Sequence, residues 1–267
     1  MPKSKRSSFG ADLHMSVNER ISTYDSVSSE YHRAFDLFLA NTDQKIKARE
    51  WLSGLIGGLR SRRLLVDAGA GNGKVTAWFA GDFQRTVAIE PNLSMSDELC
   101  RACPTAEVLR QKIMEAQPSG LADLVLCSHI LYYIDAAEWM PNLEKLVSWL
   151  APDGVLVVVV QNHATDCMRM LNHFLGYRFN LPELASRFEA LQGNRYRVEI
   201  ATVPAQLATT DFDSAFRISE FMLNLLPMQD PPTRNSLEEY VRKHLSDGAG
   251  GFRCSCDQDF LTIRPRA

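Results

Sequence analysis

The stretch Leu64-Leu65-Val66-Asp67-Ala68-Gly69-Ala70-Gly71-Asn72-Gly73-Lys74-Val75 constrains this chain more than any other. Three apolar residues run into an acid, and glycines then stand at alternate positions. An apolar run stopped by Asp and Gly reads as a buried strand leaving its sheet. The glycines permit a tight turn and leave no side chain between the backbone and a ligand. Beyond Gly73 the pattern turns helical, so a ligand would sit at a helix N-terminus past a strand's carboxyl end. Open α/β sheets bind nucleotides at such places.

Further strands and helices alternate behind this loop. Strands are predicted at 63–67, 86–90, 107–110, 124–127 and 154–160, with helices at 73–80, 93–102 and 136–150. The run Val155 to Val160 is continuously β-branched or apolar, as in a strand buried on both faces. Two helices, 164–175 and 182–191, precede a strand at 196–203. Helices at 213–226 and 236–245, separated by the proline-rich loop from Pro227 to Thr233, come before a last strand at 259–264. Ahead of the first strand, Tyr31, Phe35, Phe38 and Leu39 share one helical face. A second helix carries Ile46, Trp51, Leu52, Leu55 and Ile56. The fold class is therefore α/β, a doubly wound, mostly parallel seven-stranded sheet with an N-terminal helical cover and a helical insertion before the last strand. Residues 1–27, Ser-rich and aperiodic, are expected to be a flexible tail, and 28–267 a single domain.

With 23% charged residues and a net charge of −3, no basic surplus argues for nucleic acid. The apolar runs are too short to span a bilayer, and Met1 to Arg6 lack the apolar segment of a signal peptide. The expectation is a cytoplasmic protein, a monomer or weak dimer. Six scattered cysteines lack a His pair at ligand spacing, so free thiols and no metal are expected.

Three glycine turns compete for the loop. The phosphate loop of NTPases needs Gly at position 68 and Ser or Thr at 75, where this chain has Ala and Val. The dinucleotide fingerprint needs Gly at 74, which is Lys. What remains, Asp67-x-Gly69-x-Gly71-x-Gly73, resembles motif I of class I S-adenosylmethionine (SAM)-dependent methyltransferases, with their Rossmann-like fold. Glu90 closes the second strand, where an acid can accept both ribose hydroxyls. Cys127-Ser128-His129-Ile130 closes the fourth, where that family places residues between cofactor and acceptor. The resemblance carries Asp67, Gly69, Gly71, Glu90, Met95 and Ser128 over as SAM-binding positions. It puts Gln111 to Ile113 at the border of the adenine.

Tyr31-x-x-x-Phe35-x-x-Phe38-Leu39, Leu131-Tyr132-Tyr133, Tyr177-Arg178-Phe179 and Thr209-Thr210-Asp211 are similar to segments of histamine N-methyltransferases. This implies a small-molecule acceptor among Tyr31, Phe35, Tyr132 and Tyr133, with the first helix pair as a lid. Three positions depart from that pattern: Gln44 stands for a Glu, His129 for a Gln and Cys256 for an Asn. His129 is read as a general base or as a hydrogen-bonding group to the substrate. The implied reaction is N-methylation of an amine or nitrogen heterocycle. The alternatives are O-, carboxyl- or S-methylation, or SAM binding without turnover.

Overall fold

The structure, a computed structural model, describes residues 19–24 and 28–266. Helix α1 (Ser29–Ala40) starts where the Ser28 side chain accepts the Tyr31 amide, and α2 (Gln44–Gly57) follows after a short turn. The alternating core then runs β1 (Leu64–Ala68), α3 (Thr76–Phe79), β2 (Arg85–Ile89), α4 (Leu93–Ala102), β3 (Glu107–Leu109), β4 (Ala122–Ser128), α5 (Trp139–Val147) and β5 (Leu150–Gln161). It continues through α6 (Asp166–Leu175), α7 (Leu181–Gln192), β6 (Tyr196–Val203), β7 (Gln206–Thr209), α8 (Phe212–Leu223), α9 (Arg234–His244), β8 (Phe252–Ser255) and β9 (Gln258–Pro265).

Seven strands form one sheet in the order β3-β2-β1-β4-β5-β9-β6. The strands from β3 to β5 pair in parallel, while β9 runs antiparallel between β5 and β6. Chain order reverses direction between β1 and β4, so the carboxyl ends of these two strands open the crevice where such sheets take ligands. β1 and β4 are buried almost throughout, and so is the centre of β5, because helices cover both faces.

Side chains alternate across each strand. Leu65, Leu124, Leu126, Val157, Val159 and Phe260 pack beneath α2. Val66, Val125, Cys127, Val158 and Leu261 face the opposite layer. Trp51 of α2 lies 4.3 Å, centroid to centroid, from Phe260.

Several local expectations differ from the fold. The helix after the glycine loop is only four residues long; Ala80–Asp82 tightens into a 3-10 turn where Gly81 weakens helical propensity. The helix expected over 136–150 divides into a 3-10 turn, α5 and the start of β5. Strands β7 and β8, which pair only with each other, have no counterpart in the sequence reading.

The small β7–β8 sheet holds the α1–α2 pair. Asp43 donates its amide to the Gln206 carbonyl (3.2 Å) and accepts the Gln206 amide on Oδ1 (2.8 Å), while Ala208 donates to the Asn41 carbonyl (3.0 Å). The α1–α2 junction is thereby stapled to the insertion. α1 is also held by Phe221 of α8, which packs against Tyr31, Phe35 and Phe38 at centroid distances of 5.3, 5.8 and 5.9 Å.

Residues 19–24 belong to the segment expected as a tail, yet they are docked. Ile21 is buried, its amide reaches the Pro232 carbonyl (3.0 Å), and Ser22 and Tyr24 bond to the Glu220 carboxylate. The remainder of that segment, 1–18 and 25–27, lies outside the described residues.

The candidate active site

The glycine loop turns as the alternate glycines require. Gly69, Gly71 and Gly73 all have left-handed φ values, 81°, 55° and 81°. A Cβ on Gly69 would stand 2.3 Å from Ile130, and one on Gly73 would stand 2.7 Å from Leu99. A Cβ on Gly71 would meet nothing within 4 Å. Two of the glycines thus allow close packing, and the third faces open space at the mouth of the crevice.

Glu90, buried just beyond β2, holds this loop in place. Its carboxylate accepts the Gly71 amide (2.9 Å) and the Asn92 amide (2.8 Å), joining the turns that follow β1 and β2. Each oxygen keeps a second lone pair for a hydroxyl. Asn92 also caps α4 by accepting the Met95 amide (3.1 Å), which places half-buried Met95 in the first turn. Ile113 is buried in the core, whereas Gln111 is exposed.

Asp67, next to last in β1, is buried, with Oδ2 accepting the Thr76 hydroxyl (2.6 Å). Burial pushes its carboxyl up to about 6; Thr76 and Lys45 oppose the rise, and Glu90 adds to it. An acid whose folded value exceeds its ordinary 3.8 makes the folded state bind more protons between those limits. Its contribution to stability therefore weakens as pH rises through that window, and the penalty is complete above pH 6. Asp67→Asn removes the titration. The unfolding free energy of wild type minus variant should fall between about pH 4 and pH 7. A flat difference in paired denaturant titrations would contradict a raised carboxyl.

Lys45, next to Gln44 on α2, was not singled out by the sequence. Burial lowers its pKa, with Lys74 reinforcing the effect and Asp67 opposing it. Lys74 places its own ammonium 5.6 Å from the Phe35 ring centroid, so α1 closes over the loop.

His129 follows β4 with φ 58°, alone among the described non-glycine residues in having a positive φ. This turn presents its ring to Gln258, whose amide nitrogen lies 2.7 Å from His129 Nε2. The amide donates, so the imidazole is neutral and carries its proton on Nδ1. Burial, assisted by the positive charge of Lys45, pushes the His129 pKa down to about 3. The ring stays neutral across physiological pH, and the nitrogen that a base would use is already occupied.

Tyr132 is turned inward: its hydroxyl accepts the Gln161 amide, and its ring contacts His129 and Phe179. Tyr133 is 61% exposed, so the adjacent tyrosines do diverge. Tyr31 and Phe35 stack on α1 (centroids 6.4 Å apart) and both pack against Phe221 of α8, and Ser128 sits half-buried at the end of β4.

The three departing positions meet, though not all by their side chains. Gln44 Nε2 donates to the Cys256 carbonyl (3.0 Å) and to Gln161 Oε1 (3.3 Å). The Cys256 thiol instead contacts the Thr42 hydroxyl (3.3 Å), so the expected substrate contact from that side chain is replaced by a backbone carbonyl holding Gln44. Among the described residues no cluster of His, Cys, Asp or Glu could hold a metal ion, and no helix is long and apolar enough to cross a membrane.

A family model described as a methyltransferase domain matches residues 38–205, more than half of the chain. No curated protein matches it. Solved structures with the same fold include the N-methyltransferase NodS from Bradyrhizobium japonicum WM9 in complex with S-adenosyl-L-homocysteine. That pair shares 14% identity at a TM-score of 0.55, over 90% of this chain and 100% of the other. The plantazolicin methyltransferase BpumL, also in complex with S-adenosyl-L-homocysteine, has 12% identity and a TM-score of 0.55, over 90% of each chain. A functionally unknown protein from Deinococcus radiodurans R1 has 16% identity and a TM-score of 0.54, over 84% of this chain and 88% of that one. At such identities the likeness is one of fold.

Proposed function

Because this chain belongs to the methyltransferase domain family, we propose that it transfers the methyl group of SAM to a small molecule, with a neutral ring nitrogen as the preferred acceptor. The observation that carries this reading is the pairing of the Gly71 amide with the Glu90 carboxylate across the mouth of the sheet. It leaves carboxylate lone pairs for a diol beside a glycine whose Cα faces free space. The residues present therefore fit SAM: Gly69 and Gly71 would border it, Glu90 would hold the ribose, Asp67 would offer a buried negative charge, and Met95, Ile113 and Ser128 would flank it. Gln111, being exposed, contributes at most at the rim of the crevice.

When bound, SAM supplies an electrophilic methyl: the acceptor's lone pair forms the new bond while the carbon–sulfur pair stays on sulfur. The chain's own part is alignment, which is the main demand of such a displacement. Tyr31, Phe35, Tyr132 and Tyr133 offer aromatic faces to a flat acceptor and to passing positive charge. Gln44 and the neutral His129 offer hydrogen bonds without charge. A proton lost by the acceptor nitrogen leaves for solvent, since His129 does not take it.

The histamine N-methyltransferase likeness supports a ring acceptor, but an alkylammonium like that of histamine fits poorly. Gln44 brings no negative charge, and Lys45 places a positive one nearby. Methylation at oxygen, carboxyl or sulfur is the second reading, favoured by that same charge balance.

Thermal shift with SAM and with S-adenosylhomocysteine (SAH), then a labelled-methyl screen of small acceptors, tests the proposal. No stabilisation by either ligand would overturn it; stabilisation without transfer to any acceptor would leave only a binding protein. His129→Asn keeps a residue tolerant of left-handed backbone. It should raise the acceptor KM about tenfold while kcat stays within about threefold, with wild-type kcat flat from about pH 6.5 to 9. A kcat loss of about 100-fold would restore a general-base role.

A further inference from the structure

We propose that Gln161 and Gln258 form the acceptor-recognition pair, reading a neutral edge that carries a hydrogen-bond acceptor beside a donor, as in a carboxamide or lactam. The inference rests on the methyl-transfer reading above and adds the class of acceptor to it.

Gln161 ends β5 and Gln258 begins β9, and the antiparallel register sets them directly opposite each other. Cross-strand partners share one face with Cβ atoms about 5 Å apart. That face is the one beneath α2, where Val159 and Phe260, two residues along each strand, lie in the same layer. Each amide has one half engaged and one half free. The Cys256 carbonyl fixes the Gln44 amide with its nitrogen inward, and this nitrogen then donates to Gln161 Oε1. Gln161 Nε2 is left buried without a partner. On the neighbouring strand the Gln258 nitrogen donates to His129, and Gln258 Oε1 is left buried without a partner, on a residue only 1% exposed.

Buried polar groups are otherwise almost always paired, because an unpaired amide group is costly away from water. Here a free donor and a free acceptor belong to facing residues of β5 and β9, one bonded to Gln44 in the first turn of α2 and the other to His129. Their complement is a group offering an acceptor next to a donor. A carboxylate offers no donor to Gln258, and an ammonium offers no acceptor to Gln161. Both atoms are buried and Gln44 bonds Gln161 from above, so binding at the pair requires the first turn of α2 to shift.

The test uses the full chain saturated with SAH and isothermal titration of benzamide, N,N-dimethylbenzamide, benzoate and benzylammonium. Benzamide should bind at least about tenfold more tightly than each of the other three, and Gln161→Leu or Gln258→Leu should abolish that preference while SAH still stabilises the variant. Gln258→Glu should shift the preference toward a cationic donor edge, with benzamidine overtaking benzamide. Equal binding of benzamide and its dimethyl analogue, a preference for the ammonium, or no binding of any probe overturns the pair as reader. The wild-type comparison decides this even if a variant fails to fold. Absence of SAH stabilisation in the wild type is a separate result, which overturns the methyl-transfer reading itself.

Discussion

Glu90→Ala should weaken SAM binding by about 100-fold or more, the largest loss expected from a single side chain in this cleft. The Glu90 carboxylate is only 6% exposed and accepts two backbone amides, Gly71 at 2.9 Å and Asn92 at 2.8 Å. Removal strands both amides, loosens the turns after β1 and β2, and deletes the acceptor assigned to the ribose. Hydrogen bonds to a charged group are worth about 1.5–3 kcal/mol each. Two ribose bonds alone therefore correspond to at least about 100-fold in affinity. Calorimetric titration with SAM measures it. Glu90→Gln, which keeps one carbonyl acceptor, should fall between wild type and alanine. An affinity within about threefold of wild type for Glu90→Ala would remove the residue from the cofactor site.

The second large effect separates stability from binding within one loop. Gly73→Ala places a methyl 2.7 Å from Leu99 Cδ1 and 3.2 Å from Leu99 Cα, at φ 81°. The left-handed backbone costs an L-residue about 1–2 kcal/mol, and overpacking against α4 adds about 1–3 kcal/mol. At roughly 2–4 °C per kcal/mol for a chain of this size, Tm should fall by about 5–15 °C. Gly71→Ala carries only the backbone cost, because a Cβ there meets nothing within 4 Å. Its Tm should drop by just a few degrees, yet SAM should no longer stabilise it, since the methyl projects into the space assigned to the ligand. Melting curves with and without SAM give both numbers. Equal Tm losses with SAM stabilisation retained in Gly71→Ala would show that the loop is a structural turn and no cradle.

Cysteine and histidine illustrate how far residue type alone carries. At Cys256 the histamine N-methyltransferase resemblance implies a substrate contact, yet the residue directs its thiol to Thr42 and contributes a carbonyl to Gln44 instead. His129 has an ordinary pKa near neutrality, which suggests a base. Burial and the Lys45 charge take that option away. In both cases the chemistry depends on which neighbours surround the group, and those neighbours are 84 or more residues away in sequence for His129 with Lys45 (129 against 45) and more than 200 for Cys256 with Thr42.

The sequence by itself determined the parallel core, the glycine turn and the acid at the end of β2, because these are short-range patterns. Apolar runs, glycine spacing and strand ends are written within a dozen residues, and a doubly wound parallel sheet follows from their alternation. Only the tertiary structure decided the surroundings of His129 and Gln44. The β7–β8 staple on the α1–α2 junction, the left-handed turn that aims His129, and the facing of Gln161 on Gln258 all depend on antiparallel or loop contacts between segments far apart in the chain. A one-residue shift of β9 against β5 would turn Gln258 to the other face of the sheet. No local pattern records that register; packing of the whole β9 strand between β5 and β6 does.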